Sequence, residues 1–239
     1  GLSADRVATP RQVHGNRVAM VTAGDAGRVF SNTDGLATDT PGLALMLRFA
    51  DCQPILLYDP AHHALGLVHA GWRGVAQGIA RRGVETMREA FGTHPQDLVA
   101  GLGPAIGPDC YTVGQNVAAA MSYALPDWSQ VMILQGEDTW RLDLSGANAQ
   151  QLAAAGVRTI EQSHLCTACR RDEFYSHRGD NGRTGRFAVV AFLEPRAGVP
   201  VDRETATFRA EPDREESTPP ASLDPPGFPA FGEQMGGDR

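Results

Sequence analysis

The chain contains no lysine: all 21 of its basic residues are arginines. That absence excludes a Walker-type phosphate loop, a Schiff-base mechanism and a lysine general base. There is no dense basic stripe either, and with 28 acidic residues the formal net charge is −7, so nucleic acid is not expected as a partner. Apolar runs stay short of the roughly 18 residues that cross a bilayer. The opening GLSADRVATPRQ lacks the apolar core of a signal peptide. These absences predict a soluble, cytoplasmic protein with no membrane partner. The four cysteines, Cys52, Cys110, Cys166 and Cys169, are too few and too scattered for a disulfide framework in 239 residues, which favours free thiols or metal ligands. Arginine still binds small anions bidentately, so a phosphate-using substrate stays open.

Composition breaks near Pro195. From Arg196 to Arg239 the chain carries seven of its sixteen prolines, nine acidic residues and few large apolar side chains. Such a segment cannot bury enough surface to offset its ordering entropy, which predicts a disordered acidic tail over 196–239 behind a folded domain over 1–195. Within 1–195, strand and helix signals alternate. GLALMLRF (Gly42 to Phe49), PILLY (Pro54 to Tyr58) and ALGLVH (Ala64 to His69) read as buried strands, with a turn or bulge at Ala50-Asp51-Cys52. Val75 to Phe91 reads as one helix, because Val75, Ile79, Val84, Met87 and Phe91 form an apolar stripe at roughly 3.6 spacing. Leu98 to Leu102 reads as a short strand, Val117 to Ala124 and Ser145 to Ala155 as helices, and Phe187 to Leu193 as a final buried strand. Gly156 is the stop signal of the second of those helices. The pattern predicts an α/β chain with mixed sheets rather than a regular βαβ series.

Three short stretches carry the chemistry: RQVHGN with His14, RFADCQP with Cys52, and LVHAGWRG with His69. Each sits at or near the end of an apolar run, where strands hand over to loops. Two imidazoles and a thiolate suit Zn²⁺, and three protein ligands leave a fourth position for water or substrate. His69 runs directly into Ala70-Gly71-Trp72-Arg73-Gly74. The two glycines allow close backbone approach, the following helix offers unpaired N–H groups, and Arg73 adds a bidentate donor for an anion. Asp51 has three open roles: orienter, general base, or strand-end cap. Strand geometry turns it away from Cys52 unless the chain bulges there. The same residues also permit a metal-independent reading, with Cys52 as nucleophile and His69 as its base.

Cys166 and Cys169 form a CxxC, with Cys110, His164 and His177 as further donors for a structural metal. A zinc ribbon needs two such pairs, so plain structural thiols are the expectation. SHRGDNGRTGR (Ser176 to Arg186) reads as a solvated hairpin loop, or as a set of arginines, Arg178, Arg183 and Arg186, reaching an anionic substrate.

Taken in order, QVHG, DGLATDTPG, ADC, HAGWRG, GPAIG and CYTVG, DLSGANAQQL, CTAC and TGR resemble the YfiH-type laccase-domain (polyphenol oxidase) family, which includes bacterial purine nucleoside phosphorylases. The resemblance runs from about Arg11 to Leu193. It implies a four-layer α/β/β/α fold, shared with toxin deamidases that use a Cys–His pair. It further implies a zinc-dependent enzyme that phosphorolyses adenosine, inosine or methylthioadenosine and deaminates adenosine, its metal ligands falling on His14, Cys52 and His69. Its partners would be a purine nucleoside and phosphate, and the oligomeric state is left open. Copper-linked phenol oxidation is the alternative activity. Seven histidines with no HxH pair are too few for a four-copper laccase centre, although copper outcompetes zinc for such ligands. Two departures accompany the resemblance. The long N-terminal segment usual in the family, with its STRxGG- and SLNLG-like motifs, is missing, so an incomplete catalytic domain is expected. His177 stands where the family often has tyrosine.

Overall fold

A computed structural model of the chain describes residues 3–195, so the expected acidic tail from Arg196 onward lies outside the described residues. The first half runs β1 (Val7–Pro10), β2 (Val18–Met20), β3 (Val29–Phe30), β4 (Gly35–Thr38), β5 (Ala44–Phe49), β6 (Gln53–Asp59) and β7 (Ala64–Ala70). Helices α1 (Trp72–Ala76) and α2 (Ile79–Phe91) follow, then β8 (Val99–Leu102), β9 (Thr112–Gly114) and α3 (Gln115–Ala124). The chain continues through the hairpin β10 (Met132–Gly136) and β11 (Thr139–Leu142), helix α4 (Leu144–Ala154), β12 (Thr159–Gln162) and β13 (Phe187–Phe192). Among the described residues no helix is long and apolar enough to cross a membrane.

The strands form mixed sheets, as the alternating pattern predicts. A six-stranded sheet has the order β12-β8-β6-β7-β4-β2, a four-stranded sheet the order β13-β5-β1-β3, and β10-β11-β9 make a small antiparallel sheet. Strand β7 is buried along its whole length because both of its faces are covered. Ala64, Val68 and Ala70 pack into a core with Ile79, Val84 and Met87 of α2 and Leu152 of α4. Leu65 and Leu67, on the opposite face, pack between the two larger sheets against Leu45, Leu47 and Phe49 of β5. The period-2 alternation of a strand therefore sends His69, in step with Leu65 and Leu67, into the space between the sheets. A third core joins α3, α4 and the hairpin around Val117, Met121, Leu142 and Ala147.

Two local expectations need correction. The helix predicted over Val75 to Phe91 is two helices, broken at Gly78, which adopts φ 77° and ψ 34° as the N-cap of α2. The apolar stripe crosses that break unnoticed because its members serve different cores: Val75 belongs to the core with α3, while Ile79, Val84 and Met87 belong to the core under β7. The last strand is not buried. β13 is an edge strand on which Phe187, Val189 and Ala191 face the intersheet core, whereas Val190 and Phe192 stay 47% and 42% exposed. Asp143 caps α4 by accepting the Gly146 N–H at 2.9 Å, and Gly156 at φ 96° follows its end, as the sequence signals.

Candidate metal centre

The two larger sheets meet at the Ala50-Asp51-Cys52 connection, which carries the chain from β5 in one sheet to β6 in the other. Asp51 makes the crossing possible with a positive φ of 84°. That conformation turns its carboxylate away from Cys52 and into a ring of donors. Oδ1 accepts from Thr167 Oγ at 2.7 Å and Ser176 Oγ at 2.6 Å, while Oδ2 accepts from the Arg178 N–H at 2.6 Å. Its carbonyl accepts the Ile106 N–H at 3.0 Å. Both oxygens of the buried carboxylate are thus committed to ordering the 167 and 176–178 turns. Of the three roles open to Asp51, these bonds support that of an orienter, acting on the 167 and 176–178 turns.

The carboxylate that serves the cluster is Asp34, to which the sequence reading gave no role. Antiparallel pairing of β4 with β7 sets Gly35 opposite Val68, which brings Asp34 beside His69. The His69 N–H donates to the Asp34 carbonyl at 2.7 Å, and His69 Nδ1 donates to Asp34 Oδ1 at 3.0 Å. Asp34 is fully buried and also accepts three consecutive backbone N–H groups: Val13 at 3.1 Å, His14 at 2.9 Å and Gly15 at 2.8 Å. Three successive N–H groups closing on one anion form a backbone nest, and His14 at φ 62° supplies its left-handed residue. One buried carboxylate therefore positions both imidazoles, His69 through its ring and His14 through its main chain.

The result is convergence. Ligand atoms of His14, Cys52 and His69 all lie within 4.8 Å of one another. The two imidazole centroids are 4.9 Å apart, and Phe49 walls the group with its ring 5.5 Å from His69. Gly71 completes the enclosure: a Cβ there would fall 2.6 Å from the Cys52 sulfur and 3.5 Å from His14 Cδ2. Gly74 serves packing instead, since its Cβ would meet Ile79 Cγ2 at 2.9 Å and the Gly15 carbonyl at 3.2 Å.

Electrostatics match the geometry. Burial pushes the Cys52 thiol up, but hydrogen bonds from His14 and His69 outweigh it and hold it at about 6. Burial likewise disfavours a charged His69, yet its bonds to Asp34 and Cys52 raise it to about 9. Burial alone would lift Asp34, and the hydrogen bonds from His69, Gly15 and Val13 bring it below its ordinary value. With Nδ1 engaged by Asp34, Nε2 of His69 is the nitrogen available to an ion, the arrangement typical of metal-ligating histidines. Two nitrogens and a thiolate-prone sulfur, oriented by a carboxylate behind one of them, fit a borderline-soft cation.

Arg73 and the helix beside it need a correction. The helix that follows His69 is a single turn, α1, and the long helix starts only at Ile79. A stack of aligned N–H groups is therefore not directed at the cluster. Arg73 is exposed, with its guanidinium 4.6 Å over the Trp72 ring. Tyr111, also unnoticed in the sequence, connects it to the rest. Burial first, and then the negative charge of Cys52, push the phenol above its ordinary range, while Arg178 and Arg73 pull the other way. Arg178 lies 5.2 Å over the Tyr111 ring and donates to the Thr112 carbonyl at 2.6 Å. Only two groups of three or more His, Cys, Asp or Glu donors converge among the described residues, and the second contains no imidazole. A multi-copper centre therefore has no histidine cluster there to hold it.

A family model described as multi-copper polyphenol oxidoreductase laccase matches residues 1–194. The chain belongs to this family. Within the laccase-domain family it is 41% identical over 192 residues to the purine nucleoside phosphorylase YlmD of Geobacillus stearothermophilus, covering 76% of this chain and 69% of that protein. It is also 41% identical over 199 residues to a purine nucleoside phosphorylase of Deinococcus radiodurans, covering 83% of this chain and 74% of the relative. The crystal structure of Geobacillus stearothermophilus YlmD superposes with a TM-score of 0.79 at 38% identity, over 81% of this chain and 76% of the other. Bacillus licheniformis YfiH gives 0.77 at 39% identity, over 80% and 76%.

Proposed function

We propose that this laccase-domain chain is a zinc-dependent purine nucleoside phosphorylase that acts on adenosine, inosine or methylthioadenosine and also deaminates adenosine. The observation that carries the reading is the convergence of His14, Cys52 and His69 with Asp34 bonded behind His69. The names of the relatives support the nucleoside assignment. His14, Cys52 and His69 would hold the ion, which when bound supplies Lewis acidity and an acidified water. Asp34, by engaging Nδ1 of His69, would leave Nε2 as the nitrogen that holds the ion. Arg73 and Arg178 have no carboxylate partner among the described residues, so both charges remain for phosphate. Tyr111, its phenol held above the ordinary range by burial and by the charge of Cys52, keeps its proton and offers a neutral donor beside Arg178. Phosphorolysis would then proceed by attack of a phosphate oxygen on the ribose C1′, the C–N bond electrons leaving with the purine.

The test is incubation of the purified protein with adenosine and inosine, with and without phosphate, beside metal analysis. Free base appearing only with phosphate identifies phosphorolysis, and inosine formed from adenosine identifies deamination. Cys52→Ala should lose zinc at this site and turnover together, and full turnover by that variant refutes the reading.

A second reading rests on the Cys52 thiol at about 6 beside His69 at about 9, the charge pattern of a nucleophilic cysteine and its base. It predicts turnover that survives chelation but not thiol alkylation, whereas the zinc reading predicts that chelation abolishes turnover and that bound zinc protects it from alkylation.

A further inference from the structure

We propose that Cys110, Cys166 and Cys169 form a second metal site, which takes a thiophilic d¹⁰ cation and ties together the loops beside the first. All three thiols are free. Their sulfurs lie within 4.8 Å of one another, with Cys110 Sγ 3.4 Å from Cys169 Sγ. Tetrahedral coordination with M–S bonds of about 2.3 Å spaces neighbouring sulfurs about 3.8 Å apart, which falls between those limits. The set is assembled by tertiary structure: Cys110 closes the turn after Pro108, and Cys169 of the CxxC lies 59 residues further on.

Backbone contacts hold the donors in place. Ala105 pairs with Cys166 in an isolated bridge, and the Gly107 N–H donates to Cys166 Sγ at 3.2 Å. A Cβ on Gly107 would sit 3.3 Å from Cys166 Cβ and 3.4 Å from its sulfur, so the glycine is what allows the loops to approach this closely. Three sulfurs with no oxygen donor select soft cations over magnesium, calcium or manganese. His164 and His177, the other sequence candidates, do not converge on the group. Cys169 is exposed, which leaves an approach for the ion and room for a fourth, exogenous ligand.

The position gives the site a purpose. Thr167, inside the CxxC, donates to Asp51, the residue preceding Cys52, and Tyr111 directly follows Cys110. An ion here would fix the Asp51 ring of donors and the Tyr111 loop together, as a structural staple for the neighbouring centre.

The test uses reduced, full-length Cys52→Ala protein, which has lost a ligand of the first centre. Equilibrated with excess Zn²⁺ and desalted, it should retain one equivalent, against two in the unaltered protein, and adding Cys169→Ser should remove that one. A parallel anaerobic titration with Cu⁺ shows which d¹⁰ ion is held more tightly. Cobalt gives a readout independent of activity: Cys52→Ala loaded with Co²⁺ should show thiolate-to-metal charge transfer, lost in Cys52→Ala/Cys169→Ser. Circular dichroism identifies variants that remain folded. A folded, fully reduced Cys52→Ala protein that takes up neither Zn²⁺ nor Cu⁺ overturns the proposal. So does metal retention unaffected by Cys169→Ser together with Cys166→Ser. Loss of nucleoside turnover alone would bear on the first centre and leave this stoichiometry untouched.

Discussion

Asp34 accepts the His69 Nδ1–H at 3.0 Å with the same carboxylate that gathers the backbone N–H groups of Val13, His14 and Gly15. It is a positioning residue for two ligands, His14 in the β1–β2 connection and His69 on β7. Asp34→Asn keeps the size of the side chain but removes the charge and one acceptor oxygen. Loss of an outer partner of a metal-ligating histidine ordinarily weakens metal binding about 10- to 100-fold. Zinc affinity of Asp34→Asn, measured by competition with a chromophoric chelator, should fall by that amount. An affinity within twofold of the parent would show that His69 needs no orienting partner.

Gly71 is the second structural requirement, because any side chain there competes with the Cys52 sulfur for the same volume. The Cβ of Gly71→Ala would approach that sulfur to 2.6 Å. Relief requires movement of the sulfur or the β7-to-α1 turn, an overpacking cost of about 1–3 kcal/mol. Metal content and turnover should drop sharply while the protein remains folded. Gly74→Ala is the control, since its clash is with Ile79 and the Gly15 carbonyl rather than with a ligand atom. It should lower the melting temperature and reduce metal content less. Equal metal loss in the two variants would remove the special role of Gly71.

In the metal-free protein the Cys52 thiol is held at about 6 by its two histidine neighbours. A depressed thiol pKa means that the reactive thiolate persists above about pH 6 and is lost as the pH falls through that value; an ordinary cysteine reaches the same point near 8.5. Iodoacetamide labelling of the chelated protein, followed peptide by peptide with mass spectrometry, should therefore show half-maximal alkylation of Cys52 near pH 6. His14→Ala removes one hydrogen bond to the sulfur and should move that midpoint upward. Zn²⁺ should protect Cys52 from the reagent throughout the range. A midpoint above 8 in the metal-free protein would contradict the hydrogen-bonded arrangement.

What the sequence revealed and what it hid differ in range. His14, Cys52 and His69 stood out because each is a metal-ligand residue type at or near the end of an apolar run, and the run ALGLVH is apolar enough to read as buried strand β7. Asp34 did not stand out, since its partners are 19 to 35 residues away and only the β4–β7 register brings it to His69. Asp51 drew attention by adjacency to Cys52, yet its φ of 84° turns the carboxylate to residues more than 100 positions further along. The break at Gly78 was masked by an apolar stripe that runs through it, and which of Cys110, His164 and His177 joins the CxxC was decided only where two loops meet. Strands β10 and β11 are short, the first mostly exposed and the second mostly half-buried, so they lack the alternating pattern that identifies a strand with one buried face.

Arg178 stacks on Tyr111 and Arg73 on Trp72, both without carboxylate partners among the described residues, and they bear on the phosphate requirement of the proposed reaction. Both are exposed, so each interaction with a phosphate is screened and lies toward the weak end of charged hydrogen bonds, about 1.5 kcal/mol. That corresponds to about a tenfold change in apparent affinity. Arg73→Ala should raise the KM for phosphate about tenfold while changing the KM for adenosine much less, and the defect should grow as ionic strength is lowered. Arg178→Ala should do the same and also loosen the Thr112 loop, because its Nη1 donates to that carbonyl. Steady-state kinetics with phosphate and nucleoside varied independently separate the two effects. If both variants keep the parent KM for phosphate, the anion is bound elsewhere, and the arginines serve only to stack on Trp72 and Tyr111.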